Sequence, residues 1–199
     1  MGKEGITNVL LSGVGGQGIL TASRLLALAA LHRGLDVKMS EVHGMSQRGG
    51  NVDTHVRIGK AVPSPMIPKG GADFLVSFEK LEALRYLDYL KPDGFAFVNR
   101  LEISPLTIAL KQPNYVDDVD RILEEKAPHL VWVDGTEMAR ELGDVRTVNV
   151  ILLGALATRL PFLEEADWEA AVKERFAKPK VRQAVLAGFR KGAEACLSR

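Results

Sequence analysis

Two glycine-framed segments carry most of the chemistry legible in this chain: Gly13-Val14-Gly15-Gly16-Gln17-Gly18 and His43-Gly44-Met45-Ser46-Gln47-Arg48-Gly49-Gly50. The first follows an apolar run, Val9-Leu10-Leu11, and opens a helix-like stretch. In that context a glycine-rich turn aims backbone N–H groups at an anion. Gly13, Gly15 and Gly18 fit G-x-G-x-x-G, and Glu41 at the end of the next strand fits the acid that grips a ribose in dinucleotide folds. The same glycines serve equally well to permit a tight turn and close helix–strand packing, and the pattern alone leaves both readings open. In the second segment Arg48 can aim its planar fork at a carboxylate or phosphate. Gly49 and Gly50 let a ligand or another backbone approach closely. His43, Ser46 and Gln47 add donors and acceptors; the plainer alternative is a surface turn whose polar groups satisfy one another. Two such loops at the ends of consecutive strands read as the mouth of one ligand site.

Other chemistry finds little support. No two histidines have metal-ligand spacing on a helix, and neither a P-loop lysine nor a G-x-S-x-G elbow is present. The single cysteine, Cys196, excludes an internal disulfide and any zinc or iron–sulfur site built from several thiolates of this chain. His55 and Arg57 share the polar face of one strand and read as satisfied structural residues, while His32 and His129 read as surface. Asp117, Asp118 and Asp120 cluster at a helix start and read as complements to its dipole. In the second half, Asp134 and Glu137 are the carboxylates open to an acid–base role.

The elements that must hold the two loops alternate strand with helix. Asn8–Ser12 reads as a strand and Gln17–Arg33 as an amphipathic helix stopped by Gly34. Strands follow at Asp36–Glu41 and Asn51–Ile58, the latter alternating apolar with polar residues. Ala61–Gly71, rich in Pro and Gly, is loop. Phe74–Phe78 reads as strand, Glu79–Leu90 as helix, Phe95–Val98 and Leu130–Val133 as further strands, and Val119–Lys126 as helix. Helices are expected at Glu137–Leu142, Asn149–Thr158, Glu165–Ala177 and Val181–Leu197. The stretch from Asn149 to Leu156 is apolar nearly all round, so it is buried in the core or packs on a partner. The alternation predicts an α/β, Rossmann-like three-layer sandwich: a mostly parallel sheet with helices on both faces and a helical C-terminal portion. With 199 residues and 46% hydrophobic content, one domain over 1–199 is expected, residues from about 160 onward being a helical extension of it. Lys+Arg 26 against Asp+Glu 25 leaves no basic stripe for nucleic acid. No apolar run is long enough for a membrane span or a signal peptide, which makes a cytoplasmic location the expectation.

These residues also bear a family likeness. Gly13–Gly18, then Ser40-Glu-Val-His-Gly-Met-Ser-Gln-Arg-Gly-Gly50, then His55-Val-Arg-Ile-Gly59, resemble the gamma-type domain of 2-oxoacid:ferredoxin oxidoreductases. The wording of the second loop resembles the small, beta-type subunit of the indolepyruvate branch, and Leu153-Gly154-Ala155 resembles a later family segment. The C-terminal helix departs from the pattern, with Val185 where family members often carry an Asn. The resemblance implies a subunit of an enzyme that oxidatively decarboxylates arylpyruvates to aryl-acetyl-CoA while reducing ferredoxin. It implies that thiamine diphosphate, Mg and the iron–sulfur clusters sit on a large (alpha) partner subunit, through which ferredoxin is reached, and that CoA is the co-substrate. On that reading this chain holds no cofactor and is inactive alone. It completes the substrate or CoA side of the cleft through Gly13, Gly15, Gly16, Gln17, Gly18, Glu41, His43, Ser46, Gln47, Arg48, Gly49 and Gly50. Two alternatives stand beside it: a free-standing Rossmann-type dinucleotide-binding oxidoreductase, and a homo-oligomeric anion-binding module without catalysis.

Overall fold

A computed structural model of the chain describes residues 5–43, 50–103 and 118–197. The elements run β1 (Ile6–Val14), α1 (Ile19–His32), β2 (Asp36–His43), β3 (Asn51–Gly59), β4 (Ala72–Ser77), α2 (Lys80–Tyr86) and β5 (Leu90–Asn99). They continue with α3 (Val119–Lys126), β6 (His129–Val133), α4 (Gly135–Glu141), α5 (Val148–Ala157), α6 (Glu165–Arg175) and α7 (Pro179–Leu197). The six strands form one sheet in the order β2-β3-β1-β4-β5-β6. Strands β1, β4, β5 and β6 are parallel neighbours. Strand β3 runs antiparallel to both β1 and β2, so it lies inserted between the first two strands of the chain.

Alternation along the strands explains the layers, because successive side chains point to opposite faces. Val9, Leu11, Val76 and Phe97 join a core with α1, α5 and α6, to which Val185 of α7 also belongs. Leu10, Leu75, Ala96 and Val98 face the other way, onto Ala83 and Tyr86 of α2 and Val119 and Leu123 of α3. The α/β three-layer arrangement expected from the pattern is therefore the observed one, with β3 as the antiparallel exception.

One local expectation needs correction, and a second holds in part. The helix expected over 79–90 ends at Tyr86, a 3-10 turn covers Leu87–Tyr89, and β5 starts at Leu90. Leu90 is buried and pairs with Ala72, and Pro92 just beyond cannot continue a helix. Asp118 occupies the N-cap position of α3 without a side-chain capping bond, while Asp120 stands in the first turn, where it complements the dipole as expected. Its carboxylate pairs with Arg121 and that of Asp120 with Lys80; Asp117 and the stretch 104–117 lie outside the described residues.

Helix α5 is apolar all round because it is buried, with Val150 through Leu156 almost inaccessible. At two points of its contact with α7 backbone meets backbone with no side chain between them. A Cβ on Gly154 would lie 1.9 Å from the Phe189 carbonyl oxygen, and one on Gly192 would lie 1.9 Å from the Ile151 oxygen. Glycine is thus required at both positions by backbone-to-backbone approach, and a methyl group must push the two helices apart. Gly192→Ala is expected to destabilise the fold by roughly 3 kcal/mol, the upper end for an overpacked core. Urea unfolding followed by circular dichroism checks this, and Ala193→Gly on the same turn serves as the control.

Candidate functional site

The glycine-rich turn forms where β1 ends and α1 begins, and Gln17 organises it. The Gln17 side-chain oxygen accepts from the Val14 N–H at 2.7 Å, and its amide nitrogen donates to the Phe78 carbonyl at 3.2 Å. Asn99, at the end of β5, donates to the same carbonyl at 3.1 Å, while Phe78 N–H donates to Ser12 at 2.8 Å. The ends of β1, β4 and β5 are therefore tied together through one backbone carbonyl.

The glycines divide by reason. A Cβ on Gly13 would meet Gln17 Oε1 at 2.6 Å and Phe78 Cβ at 2.8 Å, and one on Gly18 would meet Asn149 Nδ2 at 2.6 Å. Close packing explains both. Gly18 also has φ +84° and Gly16 φ +105°, a region L-residues rarely adopt, yet Gly16 has open space where a Cβ would go. The exposed edge of the turn is thus the Gly15–Gly16 backbone, at the amino end of an α1 whose first turn carries no acidic residue.

The second loop arrives at the same place by an indirect route. His43 pairs with Val52 across β2–β3, and Val14 pairs with Asn51 across β1–β3. The Gly15 N–H donates to the Gly50 carbonyl at 2.8 Å. The turn and the trailing end of the second loop are therefore joined directly, although the two strands that precede them are not neighbours. Ser46, Gln47, Arg48 and Gly49 lie outside the described residues. Glu41 sits one strand further out than in a dinucleotide fold, opposite Thr54, with its carboxylate 3.7 Å from Arg24.

Beneath the joint lies a polar cluster that sequence reasoning did not single out. Tyr86 Oη donates to Asp53 at 2.6 Å, and Asn51 Nδ2 donates to Tyr86 Oη at 3.1 Å. His55 Nδ1 accepts from the Ile67 N–H at 3.1 Å, so its proton resides on Nε2, which faces Asp53 at 3.1 Å. Arg57, its neighbour on that face, is held by Asn8 and the Ser64 carbonyl, and both are structural as expected. Elsewhere, His32 pairs with Glu174 and His129 stacks on Phe95. The one sequence sign of the cluster was the polar face of β3; its partners come from α2 and from a loop, which spacing along β3 cannot reveal.

Burial raises the pKa of Glu82, buried close by, against the opposing effect of Arg85. Its Oε2 has no hydrogen-bond partner among the described residues. Glu79, which caps α2 by accepting from Glu82 N–H, is also shifted up by burial. A carboxyl whose pKa is raised on folding costs stability as pH climbs past its unfolded pKa, because the folded state then holds a proton that the unfolded chain has released. Glu82→Gln is therefore expected to raise the thermal midpoint at neutral pH. The gain should vanish as pH falls below the ordinary carboxylate range, and melting curves across that range check the sign.

Among the described residues no three His, Cys, Asp or Glu side chains are placed to hold a metal ion. Cys196 lies half-buried on α7. These donors fit neither an iron–sulfur cluster nor the metal of a thiamine diphosphate site. Nor is any described helix long and apolar enough to cross a membrane.

Comparison with known proteins agrees with this geometry. Residues 8–195 match the family model described as pyruvate ferredoxin/flavodoxin oxidoreductase. The chain is 41% identical over 191 residues to indolepyruvate oxidoreductase subunit IorB of Pyrococcus horikoshii, covering 94% of this chain and 95% of that one. It is 45% identical over 153 residues to the subunit of the same name from Thermococcus kodakarensis, covering 75% and 76%. In fold it resembles the crystal structure of the gamma subunit of a keto/oxoacid ferredoxin oxidoreductase from Geobacter sulfurreducens, with a TM-score of 0.72, 21% identity and coverage of 97% and 99%. The chain belongs to the pyruvate ferredoxin/flavodoxin oxidoreductase family, as a small subunit of a 2-oxoacid:ferredoxin oxidoreductase of the gamma type.

Proposed function

We propose that this chain is the small subunit of an indolepyruvate, or more broadly arylpyruvate, ferredoxin oxidoreductase, and that it completes the substrate or CoA side of a cleft shared with a large subunit. The carrying observation is the joint at which Gly15 N–H meets the Gly50 carbonyl at 2.8 Å. Because of it, the exposed Gly16 edge of the turn and the stem of the segment bearing Arg48 share one rim. The names and identities of the relatives from Pyrococcus horikoshii and Thermococcus kodakarensis support the choice of indolepyruvate.

On this reading the oxidative decarboxylation, with its thiamine diphosphate, Mg and iron–sulfur clusters, belongs to the large subunit, and ferredoxin is reached through that subunit. This chain contributes binding. The Val14, Gly15 and Gln17 amides are engaged within the turn and its joint, so the Gly16 amide and the α1 dipole stabilise an anionic group, either a CoA phosphate or the carboxylate of the oxoacid. The Arg48 guanidinium supplies a bidentate donor to the same group. His43, Ser46 and Gln47 are the further polar groups that this segment offers the ligand, and Glu41 lies 3.7 Å from Arg24 on the outer strand of the hairpin. The position of Glu41, displaced by the inserted β3, weighs against the free-standing dinucleotide reading.

The test is an Arg48→Met subunit assembled with its large partner. We expect KM for CoA or for indolepyruvate to rise by about tenfold, the cost of one charge-assisted hydrogen bond, with the melting temperature of the small subunit unchanged. Unaltered kinetics toward both substrates would remove Arg48 from the site. Co-purification from native cytoplasm is the companion measurement: a large iron–sulfur partner with CoA-dependent indolepyruvate oxidation is the expected result, and a lone chain that titrates with NAD would overturn the subunit reading.

A further inference from the structure

A second concavity lies between α5, the first turn of α7 and the start of α1. It measures about 440 Å³, within the range of small-molecule sites. Its wall is apolar, built from Val150, Phe176, Val181 and Val185. Its rim carries Lys178 and Lys180, both exposed and without an ion-pair partner among the described residues. The remaining cation of the lining, Arg146, is already neutralised by a two-pronged contact with Asp144. The surplus charge of the concavity is therefore that of the two lysines.

Helix polarity adds to it. Thr21 comes from the first turn of α1, Asn149 and Val150 from that of α5, and Lys180 and Val181 from that of α7. Three amino ends thus converge on one space, and none of these three first turns carries an acidic residue. The first turns of α2, α3, α4 and α6 all do, with Glu82, Asp120, Glu137 and the pair Glu165 and Asp167. The acids that ordinarily offset a helix dipole are missing where the three ends meet and present on the other described α-helices.

The geometry points to a binding site for a small amphipathic organic anion, its carboxylate, sulfonate or phosphate held by Lys178 and Lys180 and its apolar body seated against Val150, Phe176, Val181 and Val185. This site differs from the Gly15–Gly16 edge of the turn, though the two are linked. Asn149, part of the lining, donates to the Gly18 carbonyl at 3.3 Å, so a ligand in the concavity touches the residue that fixes the far end of the turn. Free metabolites and the reactants of the proposed complex could both supply such an anion, and competition separates the two sources.

The experiment titrates the full 199-residue chain, without its partner, with the fluorescent anion anilinonaphthalene sulfonate, and then displaces the dye with indoleacetate or with CoA. Working on the isolated chain keeps the outcome independent of whether the arylpyruvate reading is right. Saturable binding at one site is expected. The double variant Lys178→Gln, Lys180→Gln should weaken it about tenfold, as the loss of charged hydrogen-bond partners does. Ala184→Phe, a filling change at an exposed position of the lining, should abolish it while leaving the melting temperature alone. Displacement by indoleacetate and not by CoA supports a site of its own. Displacement by CoA at matching stoichiometry overturns that, since the concavity would then be part of the CoA site. Dye binding that ignores both variants, or equal binding of an uncharged naphthalene dye, also overturns it and would mark the face as an apolar protein contact.

Discussion

The Phe78 carbonyl oxygen is the point on which the upper end of this molecule depends. It receives the Gln17 amide from the turn after β1 and the Asn99 amide from the end of β5. The same peptide segment is held to β1 through Phe78 N–H and Ser12. A carbonyl has two lone pairs, and here both are taken by side-chain amides from separate elements. Gln17 is consequently a brace for the turn. With one end on Val14 and the other on Phe78, it presents the Gly15–Gly16 backbone at a fixed height above the sheet. Preorganisation of that kind lets a backbone amide hold an anion without first having to be ordered.

The insertion of β3 between β1 and β2 decides what the second loop can do. Had β2 lain beside β1, as in dinucleotide folds, its last residues would have bordered the turn and Glu41 would have pointed to a ribose. Instead the chain turns back, so that the trailing end of the loop, Gly50 and Asn51, borders the turn. Asn51 is in turn held by Tyr86, and Tyr86 by Asp53. The stem of the loop rests on a polar cluster that is fully engaged apart from the Glu82 oxygen beside it, an arrangement with little tolerance for change because unmet polar groups are costly when buried.

Much of this was legible in the residues and some was not. Period-2 alternation in Asn51–Gly59 and the glycine-stopped helix before Gly34 announce their elements, because facing an apolar core on one side imposes those periods, even though the polar face of β3 is also buried. The direction of β3 is not legible: an alternating pattern is the same read up or down, and only the short connection from β2 hints at a hairpin. Gly13 and Gly18 are conspicuous in sequence as candidate ligand contacts, while their packing partners Phe78 and Asn149 are scores of residues away. Asp53, Tyr86 and Glu82 escaped notice for the same reason. Each is ordinary in its own segment and acquires meaning only when β3 and α2 are laid side by side.

The reversal of β3 bears also on how the chain reaches this shape. A hairpin of two neighbouring segments closes a short loop, which costs less chain entropy than bringing distant segments together. Strands β2 and β3 pair from Asp36–Gly59 to His43–Val52, so both stems of the loop that follows His43 are brought to within one strand spacing by contacts local in sequence. The spacing of the loop's two stems is therefore set by the hairpin itself, and the pairing of β3 with β1 has only to seat that hairpin against the turn.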